Sequence, residues 1–145
     1  MSKIVGYCSL AILIALSIVG AVSDTPGSLR HQVQTLPLWF PIVAGLQNKA
    51  LAKWAALPCM IFWLVIMIFI WLFLLGLPSP FSGTFNPTEI AMTLAVGIAA
   101  VVGIAVCFRW RTPVSSSVAA GVFLLFTTLQ VAAMAISLRP YIARR

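Results

Sequence analysis

Apolar residues run through this chain in four long stretches that contain no Asp, Glu, Lys or Arg: residues 4–22, 54–77, 90–108 and 118–138. Each comes close to the ~20 residues that cross a hydrocarbon layer at about 1.5 Å per residue. Backbone N–H and C=O groups find no water in that layer, so each run is expected to satisfy them internally as a helix. The pattern predicts an all-α integral membrane protein, a four-helix transmembrane bundle forming one domain over residues 1–145.

The longest non-spanning stretch, residues 23–53, opens on the turn signal Asp24-Thr25-Pro26-Gly27. It then holds an apolar run from Leu36 to Leu46, too short to span and broken by Pro37 and Pro41. This predicts a short interfacial or re-entrant segment between the first two spans, with Trp39 at headgroup depth; a segment packed over the bundle mouth is the other reading. The first run has two readings as well. Lys3, the apolar core and Ala21-Val22-Ser23 resemble a secretory signal peptide, but the run is at the long end for one, and a retained helix is expected.

The spans differ in character. From Met60 to Leu75 nothing in the second is smaller than valine, which predicts a helix that faces lipid widely or forms a wall for smaller helices. Pro58 is placed in its first turn or so, where a missing N–H costs little. In the third, Ala91, Ala95, Ala99 and Gly103 recur every four residues, a small-residue ridge that is a candidate helix-packing face. Internal bundle packing is favoured for it over a subunit interface. The fourth carries Thr127, Thr128 and Gln130, the last being the only amide within a predicted span. A buried amide needs partners, and Trp63 of the second span lies at a similar depth. Trp63, Thr127, Thr128 and Gln130 are therefore a candidate buried polar cluster, with the indole N–H expected to donate to Gln130 or a nearby threonine.

Charge adds orientation. The formal charge is +7, from nine Lys and Arg against two carboxylates. These cations sit at helix ends and in loops, as topology-setting residues do, and not on one face interleaved with stacking aromatics, so no nucleic acid partner is expected. The second and third spans form a hairpin whose base carries Lys49, Lys53, Arg109 and Arg111, while its tip has no positive charge. Positive-inside bias places the base in the cytoplasm. With four crossings, both termini then lie outside.

Candidate chemistry is sparse. Asp24 and Glu89 are the only carboxylates and both fall at span ends, which argues against proton-coupled transport. Asn86 and Glu89 have the spacing of a capping box at the start of the third helix, and Ser115-Ser116-Ser117 offers capping hydroxyls for the fourth. The single histidine, His31, lies in the connecting segment, where one histidine satisfies neither a bis-histidine haem nor a metal site. Cys8, Cys59 and Cys107 show no metal or redox spacing and are expected to be buried hydrophobes. Among small four-helix families, the multidrug exporters depend on a glutamate in the first span, where this chain has only Tyr7, Cys8, Ser9 and Ser17. The glycine-rich, arginine-containing signature of the fluoride channels is absent. Asn86-x-x-Glu89 is similar to a fragment of the membrane glutathione transferase motif, whose upstream arginine is missing. The chain is assigned to none of them. The expectation is a non-enzymatic, cofactor-free accessory, assembly or interaction protein of the plasma membrane. Its partners are the lipid bilayer and a membrane protein or second copy of itself. The alternative is a small channel or uncoupled carrier for a neutral or apolar solute. A lipid-acting enzyme ranks third, since it needs Asp24, His31 and Glu89 to converge.

Overall fold

The computed structural model describes residues 1–23, 28–80 and 83–139. The turn signal Asp24-Thr25-Pro26-Gly27 and the pair Arg144 and Arg145 lie outside the described residues. The elements are α1 (Ser2–Val22), α2 (Ser28–Thr35), a 3-10 turn (Leu36–Leu38), α3 (Trp39–Leu46), α4 (Leu51–Leu74), α5 (Pro87–Arg109) and α6 (Ser116–Ser137). Four of them, α1, α4, α5 and α6, are long and apolar enough to cross a membrane. The fold is the expected all-α four-helix membrane bundle.

Helix ends follow local chemistry. Asn86 accepts from the Glu89 N–H and Glu89 Oε2 from the Asn86 N–H, both at 2.8 Å, closing the capping box with Pro87 in the first turn of α5. At the end of α4, Gly76 takes φ +73°, its N–H reaches the Phe73 carbonyl and the Leu77 N–H reaches Leu72. That is a Schellman stop, and it ends the helix at Leu74 rather than residue 77. Asn48, at φ 59°, closes α3 in the same way through the Lys49 N–H to Ala44 bond. Ser115 occupies the N-cap of α6, but its side chain makes no cap bond and lies 3.4 Å from the Ser117 hydroxyl, so the expected hydroxyl capping is not formed. Pro58 is likewise not in the first turn. Because α4 starts at Leu51, Pro58 falls inside the helix and leaves the Trp54 carbonyl without its intrahelical donor.

The bulky helix α4 is central and serves as the wall: α1, α3, α5 and α6 all pack on it. Within its N-terminal half, the run from Ala55 to Met60 is buried on every side. On one flank α5 nestles between α4 and α1; on the other, α6 meets α4 and α2. The bundle thus has a base, where Lys53 Nζ donates to the Trp110 carbonyl and Trp54 to Thr112, and a tip, where the Asn86 amide donates to the Val22 carbonyl.

The segment between α1 and α4 turns back into the bundle, as a re-entrant segment would, and then runs the length of α1. Near the tip His31 lies against Gly20 and Gln32 donates to Ser17. Near the base the Ser2 hydroxyl donates to the Gly45 carbonyl at 3.0 Å. Its nineteen residues, 28–46, are helical throughout, which at 1.5 Å per residue is roughly 28 Å. Gln34, Thr35, Leu38, Ile42 and Ala44 face inward; the outward positions are Leu29 and polar Gln32 on α2, then the large apolar Leu36, Trp39, Phe40, Val43 and Leu46. Pro37 and Pro41 break this pass into two helices without stopping it, since the 3-10 turn seats Pro37 at its start. Trp39 falls halfway along this segment and is exposed on the outside of the bundle. Because this segment runs from tip to base, α1 lies parallel to α4. Ser2 sits at the base against Gly45 and Ser137 lies towards the tip, so the expectation of both termini at one end of the bundle is corrected.

The base contact tolerates no side chain. A Cβ on Gly45 would sit 2.7 Å from the Gly6 Cα. Gly45→Leu is expected to destabilise by about 1–3 kcal/mol, read as a lowered thermal midpoint in detergent. Gly121→Ala, where an added Cβ meets nothing within 4 Å, is expected to be neutral or stabilising by up to ~1 kcal/mol.

Candidate functional site: a cavity under the broken helix

The two halves of the broken pass choose different neighbours. Both lie on α1, but α3 also packs on α4 while α2 packs on α6. The divergence follows from sequence. Apolar Ile42 and Ala44 suit the buried base of α4, whereas the Gln34 side chain donates to Ser137 Oγ on α6 at 2.9 Å. Where α2 leaves α4, a cavity of about 580 Å³ opens in the tip half of the bundle.

Its walls are of two kinds. Leu16 and Val19 of α1, Ile66 and Ile70 of α4 and Val96 of α5 make an apolar interior. Arg30, His31 and Gln34 of α2, with Asn86 and Glu89 at the start of α5, supply the polar lining. Glu89 is already engaged: its Oε2 accepts the Asn86 N–H, and it lies in the first turn of α5, where the helix dipole favours negative charge. Thr93 is engaged too, donating to the Ile90 carbonyl and accepting from the Trp71 indole. Two donors in the lining are not. Arg30 Nε and Trp63 Nε1 are buried without a hydrogen-bond partner, and Trp63 is only 2 % exposed. A buried donor left unmade costs about 1–3 kcal/mol, and both nitrogens are closed off from the cavity space itself.

The cluster expected from sequence is not assembled. Gln130 is fully buried, but its amide donates to the Gln34 backbone carbonyl at 3.0 Å, its Oε1 has no partner, and Trp63 does not reach it. Thr127 and Thr128 bond back to the Phe123 and Leu124 carbonyls of their own helix, and Thr128 is exposed. The physical reason is the intervening α2, whose Gln34 takes the polar groups of α6. The buried polar cluster is thus Gln34, Gln130 and Ser137. Gln34 was missed because the connecting segment reads as lying outside the spans; its signal was the polar run Arg30-His31-Gln32 and Gln34-Thr35 just before an apolar run.

The small-residue ridge is split. Gly103 is buried against Met60 and Cys8, Ala99 is half-buried, and Ala91 and Ala95 point outward. The internal face of α5 is a neighbouring stripe, Thr93, Val96, Gly97, Ala100, Gly103 and Cys107. His31 sits on a helix, not in a loop, and lines the same cavity as Glu89, so two of the three residues required for convergence do share a site; Asp24 lies outside the described residues. The three cysteines are free and buried.

A double-mutant cycle of Gln34→Leu with Ser137→Ala is expected to show coupling of about 0.6 kcal/mol in thermal or denaturant unfolding, the average for such bonds between membrane helices. Trp63→Phe and Gln130→Leu are expected to be additive.

The chain matches no protein-family model, no curated protein and no solved structure.

Proposed function

We propose that this is a multi-pass integral protein of the plasma membrane that binds one amphiphilic molecule in the tip-half cavity and holds it without transforming it. The observation that carries this reading is the cavity's polarity: an apolar interior between α1, α4 and α5, with a polar flank on α2 and at the α5 start. Such concave, mostly apolar sites with a few placed polar groups are what small-molecule ligands require. Binding is favoured over catalysis because Glu89 and Thr93 are committed to holding α5 and Trp71. The broken pass supports five crossings, with Lys3, Lys49, Lys53, Arg109 and Arg111 at the base against Arg30 and Arg139 at the tip among the described residues. Positive-inside bias then puts the base, and the N-terminus with it, in the cytoplasm.

A second reading rests on the outward ridge. Ala91 and Ala95 are small, exposed and unused by the bundle, which favours close approach of another membrane helix, from a partner or a second copy. Ala95→Leu is expected to abolish any crosslinked assembly without loss of thermal stability; unchanged crosslinking counts against this contact.

For the cavity, purified protein titrated with a single-chain lysolipid and read by native mass spectrometry is expected to retain one molecule. Val96→Phe or Ile66→Trp, which narrow the cavity, are expected to weaken retention on the order of tenfold, the loss of ~1.4 kcal/mol of contact. Undiminished retention in both variants would sink the reading. For orientation, cysteine labelling is expected to place an N-terminal tag and position 115 on the cytoplasmic side and position 84 outside. A tag on the side opposite to position 115 rules out the fifth crossing.

A further inference from the structure

A second hollow lies at the base, away from the tip-half cavity. Near its start α6 places two small residues side by side, Ala119 and Ala120, a turn before Phe123. Their short side chains leave room for a groove of about 410 Å³, walled by Trp54 of α4, Val114 of the connecting segment, and Phe123 and Leu124 of α6. Its inside is apolar. Of the lining side chains only Trp54 and Ser116 carry a polar atom, and the Trp54 indole already donates to Thr112 at 3.2 Å. Ala120 is exposed and Leu124 is 64 % exposed, so the groove opens on the outside of the bundle. From Ser116 to Leu124 it follows α6 for roughly 12 Å, a length suited to a stretch of acyl chain.

The surroundings of the groove are charged, and of one sign. Lys53 Nζ lies 4.6 Å from the centroid of the Trp54 ring and donates to the Trp110 carbonyl, which fixes an ammonium beside this wall of the groove. An ammonium has three N–H donors, and the bond to Trp110 uses one. Arg111 is exposed and adjoins Thr112, the acceptor of the Trp54 indole. Lys3, Lys49 and Arg109 stand at the same end. Glu89 is the only carboxylate among the described residues, and it caps α5 at the tip. The five cations of the base therefore have no counter-ion among the described residues. An apolar groove that starts at an all-positive rim matches a molecule with an anionic head and an apolar chain. A zwitterionic head would bring its own ammonium to a rim with no carboxylate to receive it. We propose that the base groove seats one acidic phospholipid. Its phosphate lies by Arg111 and Lys53, and one acyl chain runs along Ala119, Ala120 and Phe123. This site is independent of the tip-half cavity.

The test compares lipids as well as variants, so it does not depend on a variant folding. The full chain in detergent is offered equal amounts of dioleoyl phosphatidylglycerol and dioleoyl phosphatidylcholine, which share their acyl chains, and bound lipid is counted by native mass spectrometry. One phosphatidylglycerol is expected to be retained, about tenfold in preference to phosphatidylcholine. Arg111→Gln is expected to lower that retention about fivefold, as for one cation lost beside an acidic headgroup. Arg139→Gln, which removes the same charge at the tip, is expected to leave it unchanged. Ala120→Phe, which fills the groove, is expected to weaken retention about tenfold, whereas Val96→Phe in the tip-half cavity is expected not to. Glycerol 3-phosphate, a phosphate head without chains, is expected not to compete. Equal retention of the two lipids overturns the acidic head. Equal losses in Arg111→Gln and Arg139→Gln overturn the site in favour of overall charge, and competition by glycerol 3-phosphate overturns a lipid as occupant. Undiminished retention in Ala120→Phe, or loss in Val96→Phe instead, overturns the groove.

Discussion

Two glycines without side chains hold the architecture together. Where Gly6 of α1 meets Gly45 of α3, backbone approaches backbone closely enough for the Ser2 hydroxyl to reach the Gly45 carbonyl across the gap. Apolar surfaces gain little by meeting each other in a lipid-like medium, so close packing and hydrogen bonds must do what the hydrophobic effect does in water. This contact supplies both, and it anchors the base end of the broken pass. With that end fixed, α3 fills the space between α1 and α4, and α2 is left to find partners elsewhere. It finds them on α6, and the cavity is the space so vacated.

The polar groups show the same logic from the other direction. In a protein with so little charge, every buried hydroxyl or amide must be served from nearby. Ser9, Ser17 and Thr127 solve this within their own helix by bonding four residues back. Gln34, Gln130 and Ser137 solve it between helices, and so decide where α2 docks. Trp54 and Trp71 find threonines. Against that background the two donors without partners, Arg30 Nε and Trp63 Nε1, stand apart: their residues, on α2 and α4, border the cavity, but the nitrogens themselves are closed off from it.

What sequence makes legible follows from what is local. Spans announce themselves by uninterrupted apolarity, and the capping box at Asn86 and Glu89 by its spacing, because each depends only on residues close in the chain. The broken pass was hidden because its two prolines and polar first half defeat any test for a continuous apolar run. Only the alternation of buried and exposed positions from Gln34 to Leu46 reveals it. Once that pass is missed, the direction of α1 and the importance of Gln34 are both misplaced with it. The ridge on α5 fails for a different reason. A strict four-residue step drifts across the face of a 3.6-residue helix, so Ala91 and Ala95 turn outward while Gly103 stays in; the inward stripe steps by three and four through Thr93, Val96, Ala100, Gly103 and Cys107. The Trp63 pairing failed because depth along two helices says nothing about what stands between them.

The absence of substantial packing between α5 and α6 has a mechanical side. α6 is the least buried of the four long helices, and it is fastened to the rest through α4 and the broken pass. The bundle thus has α1, α4 and α5 on one flank and α6 on the other, joined through α4 and the Gln34 hydrogen bonds. Helix α6 carries Met134 into the cavity wall. An outward displacement of α6 would leave the glycine anchor and the α1–α5 seam undisturbed, so its cost falls on the α4–α6 packing and on the buried bonds from Gln34 to Ser137 and from Gln130 to Gln34.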